Sequence, residues 1–163
     1  MITQSELKEV LEYNPDTGVF IRVKSNSPSV KVGDVAGSYD YKGYIAIKIN
    51  YKLYKAHRLA WLYMTGKFPE NFIDHINHIK DDNRWVNLRD ATGSQNQANQ
   101  AKNKNNKSGY KGVTWNKKNK KWCATITYMR KSMHIGLYTT PQEAYEAYKK
   151  KAIELFGEFS YTE

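Results

Sequence analysis

The stretch Phe72-Ile73-Asp74-His75-Ile76-Asn77 sets a carboxylate beside an imidazole, and asparagines follow at Asn83, Asn87 and Asn96. Asn87 stands twelve residues after His75, and Asn96 nine further on. An imidazole whose ordinary pKa is about 6.5 can take or give a proton at neutral pH. Cys123 is the only cysteine, which excludes an internal disulfide and a four-cysteine zinc site. Any metal must then rest mainly on His, Asp, Asn or Glu. Taken singly, an Asp-His pair is ordinarily a surface pair and asparagines ordinarily mark turns. The joint spacing is specific, because an Asp81-Asp82-Asn83 turn and an Asn87-Leu88-Arg89 strand fall between the outer members.

This pattern resembles the HNH nuclease motif over roughly residues 53–100, a family whose fold is a β-hairpin followed by a helix around one metal. The resemblance implies phosphodiester hydrolysis, which needs an activated water, a counter-charge for the phosphate oxygens and help for the departing 3′-oxygen. By that likeness His75 is the general base, Asn87 orients it, and Asp74 and Asn96 hold the cation. Carboxylate and amide oxygens are hard donors that suit Mg²⁺ or Mn²⁺. Asn96 falls on the first turn of a helix that Thr92 and Gln95 cap. The last motif residue is Asn rather than His, a variant known in the family and a poor fit to zinc. Arg89 completes the expected catalytic set as a phosphate clamp, with pairing to Asp90 or Asp82 as its alternative. His57 either satisfies a buried carbonyl or approaches a DNA phosphate, and His78 is expected to be solvated.

The elements that must position these groups are legible upstream. Thr3-Gln4-Ser5-Glu6 is a capping box, with Leu7, Val10 and Leu11 at helical spacing behind it. Asn14-Pro15-Asp16-Thr17-Gly18 ends that helix, Val19 to Val23 alternates weakly like a strand, and Pro28 to Gly37 reads as loop. Ile45, Ile47 and Ile49 alternate, and Asn50-Tyr51-Lys52 leads into Leu53-Tyr54-Lys55, a hairpin pattern. Its apolar face is expected to meet a helix over His57 to Thr65, stopped by Gly66.

Past this region the charge changes. Residues 1–100 carry 13 Lys+Arg against 11 Asp+Glu, whereas residues 101–163 carry 13 against 5, so the two parts are +2 and +8. From Ala101 to Lys121 there are eight lysines and no acidic residue, a composition that predicts a polar linker centred on Lys102 to Ser108. Tyr110 to Trp115, Trp122 to Tyr128 and Ser132 to Tyr138 then read as a three-stranded meander. Trp122, Ala124 and Ile126 share one parity, as do Met133, Ile135 and Leu137, and both sets are expected on one buried side. A helix opened by Thr140-Pro141-Gln142-Glu143, with Ala144, Tyr148, Ala152 and Leu155 facing inward, should cover it before Gly157.

Lys111-Gly112-Val113, Trp122 to Ile126, Ile135-Gly136-Leu137-Tyr138 and the helix from Glu143 resemble the Apetala2 domain of plant ethylene-response factors. That family lays its sheet in the DNA major groove with the helix behind. Carried over by position, the groove-facing residues are Lys111, Thr114, Asn116, Thr127, Ser132 and His134. The plant pattern favours arginine at Thr114 and Thr127 and tryptophan at His134, so the plant target site does not transfer.

The net charge of +10 and pI near 9.5 favour a polyanionic partner. No N-terminal stretch looks like a targeting signal and none approaches the ~20 apolar residues of a membrane span, so a cytoplasmic protein is expected. The expected architecture is α+β, an HNH ββα-metal nuclease module followed by a three-stranded antiparallel sheet packed on one helix. The expected divisions are 1–52 (an N-terminal helix and small β region), 53–101 (nuclease), 102–107 (basic linker) and 108–163 (DNA reader). The expected activity is Mg²⁺- or Mn²⁺-dependent cleavage of double-stranded DNA by a monomer, as a site-preferring nickase of homing type from a phage or mobile element. No protein partner is implied. The alternatives are a non-catalytic DNA-binding regulator and an RNA-binding protein.

Overall fold

The computed structural model describes residues 1–24, 29–103 and 105–161. Pro28, at the start of the expected loop, and Lys104, in the expected linker, lie outside the described residues. The chain forms two compact units, Met1–Ala91 and Thr92–Glu163.

In the first unit, α1 (Gln4–Val10) starts at Thr3, whose side chain accepts from the Glu6 amide while the Glu6 carboxylate accepts from the Thr3 amide. This reciprocal cap satisfies two of the N–H groups that a helix start leaves without partners. Leu11 leaves the helix, because it opens β1 (Leu11–Tyr13), which pairs antiparallel with β2 (Phe20–Arg22). A three-stranded antiparallel sheet follows in the order β3 (Ser38–Tyr39), β4 (Ile45–Ile49), β5 (Lys52–Lys55). Asn50 and Tyr51, both at positive φ, make the two-residue turn between β4 and β5. Helix α2 (Ala56–Thr65) ends at Gly66 in the left-handed region. The unit closes with the hairpin β6 (Phe72–His75) and β7 (Leu88–Ala91), joined through a 3₁₀ turn at Trp85–Asn87.

One core unites these elements. Leu7, Leu11, Tyr13 and Phe20 from the N-terminus pack with Ile47, Leu59, Leu62, Ile73 and Leu88. The expected division at 52/53 therefore differs from the packing: Lys52 belongs to β5, and residues 1–52 supply about half of the core around the β6–β7 hairpin. An isolated hairpin cannot bury its own apolar face, which explains why the N-terminal region is folded into the same unit.

In the second unit, α3 (Gly93–Ala98) carries the expected Thr92–Gln95 capping box. A sheet in the order β10-β9-β8 comprises β8 (Val113–Asn116), β9 (Lys121–Tyr128) and β10 (Lys131–Tyr138). Helix α4 (Pro141–Phe156) covers one face, burying Ala144, Tyr145, Tyr148, Ala152 and Phe156 against Val113, Ala124 and Ile126. Gly112, at φ +73°, cannot carry a side chain, since a Cβ would lie 2.2 Å from the Tyr148 ring. The expected parity of β10 fails halfway along. Met133 pairs with Ile126, but a bulge between His134 and Gly136 places Gly136 opposite Ala124 and Tyr138 opposite Trp122. Leu137, paired with Cys123, is thereby turned off the buried side, and Tyr138 takes its place in the core.

Candidate active site

Asp74 and His75 end β6, and both are buried, at 6% exposure each. The antiparallel register sets Asp74 opposite Arg89 and His75 opposite Leu88. Side chains directly across an antiparallel pair meet, and Arg89 Nε donates to Asp74 Oδ2 at 3.0 Å. With side-chain exposures of 12% and 7% this is a buried ion pair. Arg89 therefore supplies a counter-charge to the site carboxylate. A carboxylate shielded from water needs such a partner.

His75 Nε2 lies 3.2 Å from Asn83 Oδ1. Asn83 is 2% exposed, and its Nδ2 donates to the Asp81 carbonyl at 3.2 Å. That second bond fixes which end of the amide faces the ring: Oδ1 accepts, Nε2 carries the proton, and in the neutral ring Nδ1 is the basic nitrogen. Burial pushes the His75 pKa down, opposed by the Asn83 bond and then by Asp74, Asp82 and Asp81. Asn83, which carried no role in the sequence reading, is the residue that contacts the ring directly. Asn87 works one step behind, accepting from the Asn77 amide at 2.9 Å and donating to the Asp82 carbonyl at 2.7 Å. It holds both ends of the 77–82 turn that delivers Asn83.

Three contacts from the N-terminal residues brace the same segment. Tyr13 Oη donates to the Asn83 carbonyl at 2.6 Å, and the Trp85 amide donates to the Pro15 carbonyl at 2.9 Å. Gly18, at φ +74°, abuts the backbone so closely that a Cβ would stand 2.5 Å from Asn83 C and Arg84 N. Sequence reasoning assigned Tyr13 no role. The Asn14 to Gly18 turn signal was visible, but nothing local says what that turn packs on.

His57 also belongs here. Its ring meets that of His75 edge-on, at 5.1 Å and 81°, and that of Tyr44 at 5.2 Å. Burial, followed by the charge of a protonated His75, pushes its pKa down to about 3. It is neutral at physiological pH, and its Nδ1 bonds to no carbonyl among the described residues. His78 sits exposed in the turn at φ 63°.

The remaining expected residues lie in the second unit. Asn96 is on α3, half-buried, with its amide bonded to the Thr92 carbonyl. Thr114, Asn116, Thr127, Ser132 and His134 share the face of the sheet turned away from α4. The register shows it: Thr114 is opposite Cys123, Asn116 opposite Lys121, Thr127 opposite Ser132, and His134 opposite Thr125. Asn116 Oδ1 also accepts from the Asn119 amide, shaping the β8–β9 turn. Lys111 does not join them. Its Nζ is half-buried and donates to the Ala98 and Gln100 carbonyls, and burial lowers its pKa to about 8. It ties the end of α3 to the sheet.

Comparison with known proteins agrees with the first of the two resemblances. Residues 54–98 match the family model described as HNH endonuclease. An uncharacterized HNH endonuclease of Acanthamoeba polyphaga mimivirus is 35% identical over 124 residues, 74% of this chain and 64% of the relative. Protein 3.8 of Escherichia phage T7 is 35% identical over 78 residues, 47% of this chain and 64% of the relative. The chain thus spans less than two thirds of the length of either relative. No solved structure matches it significantly. Among the described residues no helix is long and apolar enough to cross a membrane.

Proposed function

We propose, on the premise that residues 54–98 form an HNH endonuclease domain, that the chain is a divalent-metal-dependent endonuclease hydrolysing phosphodiester bonds of double-stranded DNA. The observation that carries this reading is the buried pair of Asp74 and His75, in which Asn83 fixes the imidazole tautomer and Arg89 neutralises the carboxylate. A histidine kept neutral by burial and held by its Nε2–H is prepared to take a proton from water at Nδ1.

Among the described residues no group of three or more His, Cys, Asp or Glu could cage a metal. The proposed donors, a carboxylate oxygen of Asp74 and an amide oxygen of Asn96, are hard and few, which fits a cation that keeps several of its own waters, as Mg²⁺ does, better than a thiophilic one. Asp74, with Asn96 from α3, would hold it, water and phosphate filling the other positions. When bound, the cation supplies positive charge for the phosphate oxygens and the departing 3′-oxygen. This chain's residues do the rest. His75 accepts the proton, Asn83 and Asn87 keep the ring in place, and Arg89 supplies a counter-charge to the Asp74 carboxylate in a site shielded from water.

The face bearing Thr114, Thr127, Ser132 and His134 is proposed to read the DNA, as the resemblance to the Apetala2 domain suggests, and a monomer making one nick at a time is the proposed mode. A phage or mobile-element setting with a homing role fits a small nuclease domain joined to a strongly basic reader. A plasmid-cleavage assay with and without Mg²⁺ or Mn²⁺, on the full chain and on His75→Ala, tests the reading. Metal-dependent cleavage lost in the variant is expected. Cleavage by His75→Ala at the parent rate, or none by the parent protein with either metal, would overturn it.

A further inference from the structure

On the second unit a groove of about 570 Å³ runs between β8 and residues 103 and 105–108. Trp115, 48% exposed, stands against Trp122 with ring centres 5.1 Å apart at 65°. The exposed asparagines Asn103 and Asn105 line the opposite wall, and Lys107 and Lys117 add positive charge. The wall is held by its own bonds: Ser108 Oγ donates to the Val113 carbonyl at 2.8 Å, and Asn106 Nδ2 to the Tyr110 carbonyl at 2.8 Å. Trp115 is opposite Trp122 and Val113 opposite Ala124, so Trp115 shares the parity of the α4 side. Thr114, from the outer face, also lines the groove and brings it to the edge of that face, whereas Thr127, Ser132 and His134 are not among its lining residues.

Its three kinds of lining group match the three parts of a nucleotide. An exposed indole offers a π-face for a base, free amides offer donors and acceptors for a base edge, and lysines attract the flanking phosphates. A paired base inside a duplex presents only its edges, so an indole can stack on it only after it has left the helix. Residues 101–121 contain no acidic side chain, and nothing in that stretch would repel a polyanion.

We propose that this groove binds one unstacked nucleotide of a single-stranded DNA segment, as a second nucleic-acid site centred on Trp115 and adjoining the outer sheet face at Thr114. The inference rests on the reading that DNA is the partner. A nuclease that opens its duplex or holds a nicked strand would place such a nucleotide there.

The test uses the full chain in EDTA, so that cleavage does not interfere, with a 15-nucleotide oligothymidine and a blunt duplex as separate probes. Trp115→Ala should weaken oligothymidine binding about tenfold, the loss of one stacked base. Trp115→Phe should restore most of it, and duplex affinity should stay within about twofold. An oligothymidine carrying 5-iododeoxyuridine, irradiated in the complex, should cross-link to Trp115 or Trp122. Equal oligothymidine affinity for the parent and Trp115→Ala, or cross-links confined to residues outside the groove, would overturn the proposal. Plasmid cleavage with Mg²⁺ is scored on the same preparations. Unchanged oligothymidine affinity in Trp115→Ala with cleavage intact refutes this site alone, whereas absence of cleavage in the parent protein refutes the nuclease reading and leaves the binding result to stand by itself.

Discussion

Arg89 stands directly across the β6–β7 hairpin from Asp74 and bonds its carboxylate at 3.0 Å, both side chains being almost closed to solvent. Removing one partner of a buried ion pair commonly costs about 3–5 kcal/mol, because the other charge is left without compensation. Arg89→Met should therefore lower Tm by several degrees in EDTA. A divalent cation on Asp74 replaces the missing counter-charge, so millimolar Mn²⁺ should raise the Tm of the variant more than that of the parent. Thermal melts with and without Mn²⁺ read both quantities. An equal Mn²⁺ response in the two proteins would show that Asp74 does not hold the cation.

The bracing of Asn83 gives a second expectation. Asn83→Ala removes the acceptor that sets the His75 tautomer, and loss of such an orienting partner lowers activity about 10–100-fold where it has been measured at metal sites. Tyr13→Phe leaves Asn83 in place but deletes the bond to its carbonyl, a net cost of about 1 kcal/mol. It should lower kcat several-fold with KM unchanged. Single-turnover rates at saturating DNA separate this from weakened binding.

The helix caps, the Asn50-Tyr51 turn and the meander of the second unit were legible because each is written in consecutive residues. The site was legible in part. Asp74 and His75 are adjacent on one strand, but the partner of each is fixed by a relation between segments. Arg89 meets Asp74 through hairpin register, and Asn83 reaches His75 through the fold of the 77–82 turn. Leu137 shows the same limit within one strand. A bulge inserts one residue and reverses every parity after it, which no alternation pattern announces. Lys111 reads as one more surface lysine until α3 presents carbonyls to it.

Two histidines set the acid limb of stability. His57 has a folded pKa of about 3 against an ordinary value of 6.5, and His75 is lowered in the same direction. Between those limits the unfolded chain binds more protons than the folded one, so stability rises with pH through the window and falls on acidification below about 6.5. Tm should drop steadily from pH 6.5 to 5, above the range in which carboxylates titrate. His57→Phe should flatten part of that slope, since its ring cannot take up a proton on unfolding. Melts of the parent and the variant at half-unit steps decide it; parallel slopes would place the acid sensitivity elsewhere.

On the second unit the outer sheet face and Lys111 should separate cleanly. Thr127→Glu or Ser132→Glu puts negative charge on the exposed face and should weaken duplex binding by tenfold or more without lowering Tm. Lys111→Met removes a buried ammonium and its carbonyl bonds. It should change Tm while leaving the slope of log affinity against log salt unaltered, because a lysine that makes no phosphate contact releases no counterion. A salt slope reduced by about one in Lys111→Met would return that residue to the DNA contacts.

The last expectation concerns strand order. The family match falls on residues 54–98, and one centre built on Asp74 and His75 can align only one scissile phosphate for in-line attack. Cutting both strands then requires either a second encounter or a second copy of the chain. No heptad pattern of the kind that builds a coiled-coil dimer runs through the sequence, so the second encounter is the expected route. A supercoiled plasmid should pass first to the open circle, and linear DNA should appear late and only at high protein. The nicking rate should rise in simple proportion to protein concentration. A pair assembled on a palindromic site would behave otherwise, giving linear product directly at a rate that follows the square of concentration. Gel time courses over a hundredfold range of protein separate the two, and direct linearisation at the dilute end would refute the monomeric nickase.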